Sequence, residues 1–309
     1  MAIIPLPKRF SDNFGDPIQK IFKTLENIST IAVGEEIILD YSSAKFTHPF
    51  FSMSLPLIME QFNRKGRKIE LLSDFTNPFT RDYMSYLNFP AGFDANAYVN
   101  EGFREFLNSY STKRYIPIIN FPVGDSTAVT QIRDQFLSAI NQLLVGICGV
   151  KAHMTTALMY LIDEAVNNVL HHSFDDRGYL LAQYFPTKGY ADIVIADIGR
   201  TILESYENSE KYQGKIETDR EAMEAALAGK STKSNNVDRG FGISTSKEML
   251  TKGLNGKYFL WSGNVCNIHN SEINNIINLP QTVYWQGAFL CLRIPVVPLP
   301  EFDPYKYMG

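Results

Sequence analysis

The stretch 152–172 sets Leu158, Leu161, Ile162, Ala165 and Val169 at helical spacing, so it predicts a long helix with one apolar face that must be covered. A second long helical stretch, 126–145, precedes it, and strand-like runs at 178–185 and 190–197 follow. Long amphipathic helices beside consecutive apolar strands predict helices laid on a sheet, an α/β class. A strand at Tyr115-Ile116-Pro117-Ile118-Ile119 opens this block. A helix over 242–252, closed by Gly253, and strand-like runs at 256–262 and 282–296 complete it. The intervening stretch 200–239 is polar, with one helical piece from Asp219 to Ala228 that Gly229 stops.

The amino-terminal part carries its own strand–helix–strand pattern. Ile37-Ile38-Leu39-Asp40-Tyr41 reads as a strand, a loop ends near Pro49, and a helix runs from about Phe51 to Asn63. Gly66 turns the chain into a second strand, Ile69-Glu70-Leu71-Leu72. Residues 76–113 read as irregular structure with one or two short helices, ending in the polar run Ser109-Tyr110-Ser111-Thr112-Lys113. The boundary is set there, giving a smaller α/β domain over 1–113 and a larger domain over 114–309. A chain of 309 residues with 45% hydrophobic content can bury both cores.

Charge and cysteine usage narrow the class. A net charge of −4 with well-mixed signs leaves no basic footprint for a phosphate backbone, so nucleic-acid binding is not expected. No stretch approaches the roughly 18 apolar residues of a membrane span, and Met1 to Phe10 lacks the apolar core of a secretion signal. Cys148, Cys266 and Cys291 have no metal-ligand spacing and read as buried reduced thiols. A cytoplasmic protein is expected.

Three constellations carry chemistry. In Asp163-Glu164-Ala165-Val166-Asn167-Asn168-Val169-Leu170-His171-His172, the residues Glu164, Asn168 and His172 fall four apart and line one strip at the margin of the apolar face. An amide oxygen there can ligate Mg2+, and a carboxylate one turn away can orient a nucleophile; a solvated helix edge is the bland alternative. In Ile193-Val194-Ile195-Ala196-Asp197-Ile198-Gly199 a carboxylate ends an apolar strand, as a turn or as the acceptor for an exocyclic amine, with Gly199 admitting a flat ring. In Asp238-Arg239-Gly240-Phe241-Gly242-Ile243-Ser244 two glycines precede a helix start, where backbone N–H groups favour anions. Upstream, Lys230-Ser231-Thr232-Lys233 adds hydroxyls and cations to what otherwise reads as a solvated loop.

In this order and spacing, the three constellations resemble the ATPase domain of the GHKL superfamily, which groups gyrase, a heat-shock chaperone family, histidine kinases and MutL. The resemblance covers about residues 115–297. It extends to Leu254–Gly263, similar to the strand after the family's third helix, and to Gly287–Pro295, similar to its closing strand. It implies a two-layer sandwich of Bergerat type and a Mg-ATP site. Asn168 would ligate Mg2+, Glu164 would position the nucleophile, and Asp197 and Gly199 would form the adenine pocket. Gly240 and Gly242, flanked by Arg239, would cradle the phosphates, and residues 200–239 with Ser231, Thr232 and Lys233 would form the lid. His172 completes the strip of Glu164 and Asn168. Arg200 and Ala288 depart from the family, which often has a glycine or small residue and a threonine there.

The helix motif is similar to that of anti-sigma-factor serine kinases. The turn Leu39–Pro49 resembles that of STAS domains such as the antagonists those kinases phosphorylate. Pro49 and Phe50 stand at the position of the phosphorylated serine, so the smaller domain is expected not to accept phosphate; Ser42 and Ser43 read as turn residues. Two functions are implied: an ATP-gated regulator or slow ATPase acting on a protein partner or a second copy, and a serine/threonine kinase of the anti-sigma type. A nucleotide-bound scaffold is a third. A sensor histidine kinase is not expected, because His153 lacks the setting of an acceptor histidine.

Overall fold

The computed structural model describes residues 1–98, 101–124, 126–172, 177–230, 232 and 247–296, without the side chains of 152, 153, 157 and 168–172. The fold is mixed α/β. The chain begins with β1 (Ala2–Pro5), α1 (Gly15–Ser29), β2 (Ile37–Asp40), α2 (Pro49–Arg64) and β3 (Ile69–Leu72), and the three strands pair in parallel in the order β1-β2-β3. Next come α3 (Pro78–Tyr86), β4 (Phe93–Asp94), α4 (Gly102–Asn108), β5 (Tyr115–Pro122), α5 (Thr127–Gln142) and α6 (Ala152–His172). Then follow β6 (Arg177–Phe185), β7 (Tyr190–Asp197), α7 (Ile202–Glu207) and α8 (Asp219–Leu227). A π-helical turn, Met249–Gly253, leads into β8 (Lys257–Gly263), β9 (Val265–His269), β10 (Asn274–Asn278) and β11 (Trp285–Pro295).

Strands β4 to β11 form one eight-stranded sheet in the order β10-β9-β8-β11-β7-β6-β5-β4, antiparallel except where β4 lies parallel to β5. Side chains alternate across it. Leu180, Ala182, Ile193, Ile195, Leu290 and Leu292 face α5 and α6, where Phe136, Ile140, Leu158, Leu161 and Ile162 cover them. The opposite face presents Leu181, Val194, Ala196, Phe259, Trp261, Phe289 and Cys291 to the amino-terminal unit.

Helix α2 is the reason the two sheets share that second core. Phe50, Phe51, Met53, Leu55, Leu57 and Ile58 are all fully buried, which one apolar face could not achieve. The helix touches β3 of the small sheet on one side and β6 and β7 of the large sheet on the other. Phe22 of α1 meets Trp261 edge-on in the same layer. A polar knot is buried within it. Arg293 of β11 donates through Nε and Nη2 to both carboxylate oxygens of Asp192 on β7, each at 2.8 Å, and through Nη1 to the Asp12 carbonyl at 2.8 Å. Its guanidinium carbon stands 3.8 Å from the centre of the Tyr190 ring. His48 caps α2 by accepting from the Phe50 N–H, and its Nε2 lies 3.2 Å from Asp192.

Several elements were absent from the sequence reading: β1, α1, β4, α7, β9 and β10. Among its described residues, the polar stretch after β7 holds two helices rather than one. Thr201 with Glu204 and Thr218 with Glu221 form capping boxes that start α7 and α8. Tyr206, Ile216, Ala222 and Ala225 give the pair a small core of its own. The three cysteines are buried free thiols.

Histidine 269, on β9, has a measurable consequence. It is 3% exposed, and its Nε2 lies 3.3 Å from Thr251 Oγ1. Burial, with help from Lys247 and Lys252, pushes its pKa down to about 4. An unfolded imidazole titrates near ~6.5, so between those values the unfolded chain holds the extra proton. Stability should therefore fall as pH drops from about 6.5 towards about 4. In His269→Gln this part of the decline should disappear, as read from urea midpoints across that range; unchanged pH dependence would show that His269 does not contribute.

Candidate functional site

The buried carboxylate of Asp197 ends β7, a strand flanked on both sides by β6 and β11. It shares strand parity with Ile193 and Ile195, so it belongs to the face against which α6 lies. The side chain is 2% exposed. Its Oδ1 accepts from the Gly199 N–H at 2.9 Å and its Oδ2 from the Ala288 N–H at 3.3 Å. Burying a carboxylate is costly unless donors compensate it, and here two main-chain donors do so.

The Ala288 donor arrives through an irregularity in β11. Trp285 pairs with Gly263 and Phe289 with Trp261, so four steps on β11 match two on β8. The surplus backbone bulges towards Asp197. Gly287 sits at φ +85° there, and a Cβ on it would stand 2.4 Å from Asp197 Oδ1 and 2.5 Å from the Asp197 carbonyl oxygen. The Trp285 indole N–H donates to that same carbonyl at 3.1 Å. Gln286 Nε2 donates to the Gly199 carbonyl at 2.7 Å and to Glu204 at 3.1 Å. Ser262 Oγ donates to the Gly287 carbonyl and accepts from the Ile202 N–H. Trp285, Gln286 and Glu204 were not singled out from sequence, and Ser262 and Gly287 entered only as members of the stretches Leu254–Gly263 and Gly287–Pro295, with no role of their own. Glycine within an apolar run was the one available signal of a bulge.

Glu164 is half-buried on α6, the helix that packs against β7. Its neighbours on the adjoining strip are engaged elsewhere. Arg133 of α5 donates to Asn167 Oδ1 at 3.0 Å and stands 3.9 Å from Asp163, so that strip ties α6 to α5. The side chains of Asn168 and His172 lie outside the described residues, as do Ser231, Lys233, Arg239, Gly240 and Gly242. Thr232 is described through its carbonyl, which accepts from Ser209 Oγ at 3.3 Å.

No family model, curated protein or solved structure matches the chain. Among the described residues no cluster of three or more His, Cys, Asp or Glu side chains is arranged to hold a metal ion. A groove of about 830 Å³ opens between α4 and α5, lined by Arg104, Tyr110 and Gln135 among others, and Glu164, Asp197 and Gly199 do not line it. No described helix is long and apolar enough to cross a membrane.

Proposed function

We propose that the chain is a cytoplasmic ATP-binding regulatory protein, a slow ATPase or nucleotide-gated switch acting on a protein partner or a second copy. Its site would be of the GHKL type, on a Bergerat-like sandwich preceded by a STAS-like unit. The observation that carries the reading is Asp197, a carboxylate buried at the end of a central strand, on the face covered by the helix that bears Glu164. Two long helices on one face of a mixed sheet agree with the sandwich.

The donor set suits a nucleotide. An acceptor-only carboxylate in apolar surroundings recognises an exocyclic amine, and its charge makes that hydrogen bond stronger than a neutral one. Asn168 stands one helical turn after Glu164, so an amide and a carboxylate can serve the same end of a ligand. Asn168 would hold Mg2+, which would neutralise phosphate charge when bound. Glu164 would orient a water or hydroxyl and hold its proton. Gly240 and Gly242 would offer main-chain N–H groups to the phosphates.

Calorimetry of the full chain with Mg-ATP tests this directly: one site is expected, and absence of binding overturns the reading. Asp197→Asn should weaken binding about tenfold to a hundredfold, the value of a charge-assisted hydrogen bond. Asparagine cannot accept at both ends, so its amide NH2 must also face either the Gly199 or the Ala288 N–H. A thermal scan separates that structural cost from the ligand's. Glu164→Ala should bind Mg-ATP normally and lose turnover; wild-type turnover in that variant removes the assigned role. With γ-labelled ATP, free phosphate points to the ATPase and a labelled second protein to the anti-sigma-type kinase.

A further inference from the structure

The Asp197–Gly199 turn is wired to the amino-terminal unit. Gln286, in the β11 bulge, carries the connection. Its Nε2 donates to the Gly199 carbonyl and to Glu204 Oε2, and its Oε1 lies 3.3 Å from the Tyr284 hydroxyl. Glu204 Oε2 also accepts from the Thr201 N–H and so closes the first turn of α7. One amide therefore holds both ends of the segment 199–204. Its own main-chain N–H points the other way, to Gln61 Oε1 on α2 at 3.4 Å.

Gln61 is an unexpected residue at that place. It is 5% exposed, in the layer between the two sheets, and its Nε2 has no hydrogen-bond partner among the described residues. A buried amide donor without a partner lowers stability, and a methionine of similar length would fill the space without that penalty. A packing role does not account for the glutamine, whereas an acceptor aimed at the bulge does.

We infer that Gln61 and Gln286 are positioning residues for the Asp197–Gly199 turn, and that through them the amino-terminal unit sets the affinity of that turn for the adenine ring of a nucleotide. The ligand part of this rests on the nucleotide reading above; the positioning part does not. The 3.4 Å contact is the longest link between α2 and Gly199, so it is the first to part when α2 shifts against the large sheet. Ligand at the turn and displacement of α2 are then coupled, and the coupling is reciprocal.

The test uses Gln61→Met and Gln286→Leu in the full chain, with three readouts. Thermal stability of Gln61→Met should stay close to that of wild type, because the variant removes the partnerless Nε2 but leaves the Gln286 N–H without its acceptor. Hydrogen exchange over 197–204, measured without nucleotide, should nevertheless quicken severalfold in Gln61→Met and more in Gln286→Leu. ATP affinity should weaken about threefold in the first and about tenfold in the second. Combining the two should be no worse than Gln286→Leu alone, because both act through one link. Unchanged exchange over 197–204 in a stably folded Gln61→Met overturns the inference, as do fully additive effects. If the wild type binds no ATP, the nucleotide reading fails with the ligand half, while exchange still decides the positioning. If Gln286→Leu does not fold, Gln61→Met alone carries the decision.

Discussion

Arg293→Leu should lose about 3–5 kcal/mol of folding stability, the cost of leaving one member of a buried ion pair alone. Asp192 is fully buried, and the guanidinium supplies two of its hydrogen bonds in bidentate form. The leucine cannot neutralise that carboxylate, and His48, already capping α2 through Nδ1, offers it only Nε2. Removing both charges in Asp192→Leu/Arg293→Leu should recover much of the loss, because apolar groups of similar volume often replace a buried pair at little cost. Urea denaturation of the two single variants and the double variant gives the cycle. A loss below about 1 kcal/mol in Arg293→Leu would mean that the pair is as dispensable as a surface one.

The second large effect is expected at Gly287. Gly189, in the turn between β6 and β7, and Gly287, in β11, share positive φ but differ in their surroundings: Gly189 (φ +70°) has nothing within 4 Å of an added Cβ, and Gly287 (φ +85°) has Asp197 at 2.4 Å. Gly189→Ala should cost about 1 kcal/mol, the backbone penalty alone. Gly287→Ala adds displacement of the bulge from the Asp197 carboxylate and should cost about 2–4 kcal/mol. It should also weaken ATP binding at least as much as Asp197→Asn. Thermal melts of the two alanine variants, with calorimetry of the folded one, settle this. Equal losses at the two positions would show that the contact with Asp197 yields freely.

The contrast between what was and was not legible follows from where each signal is stored. The α6 face and the runs that became β6 and β7 are written locally, in spacing. So is the place of Asp197 at the end of an apolar run. Strand β10 reads Asn-Asn-Ile-Ile-Asn because it is an edge with mostly exposed residues, and such a strand needs no apolar pattern. Helix α7 had a readable start in Thr201-Ile202-Leu203-Glu204, but six residues are too few to show a period. Helix α2 was visible as a helix, whereas its all-round apolar composition, the sign of burial between two layers, was not used. The bulge at 286–288 is a relation between β11, β8 and Asp197, residues far apart in the chain, and no local pattern carries it.

The position of β11 bears on the order in which the protein can assemble. It lies between β8 and β7, so β10-β9-β8 on one side and β7-β6-β5-β4 on the other meet only through it. On the ribosome, the strands of both halves emerge before it does, and until residues 285–295 arrive the two half-sheets have no hydrogen-bonded seam. Over the same interval part of the apolar covering that α2 and Phe22 require, supplied by Trp285, Phe289 and Cys291, does not yet exist. Synthesis thus holds the amino-terminal unit half-clothed until the last described strand is inserted, and a chain that stalls before residue 285 presents both raw strand edges and bare aromatic surface to its neighbours.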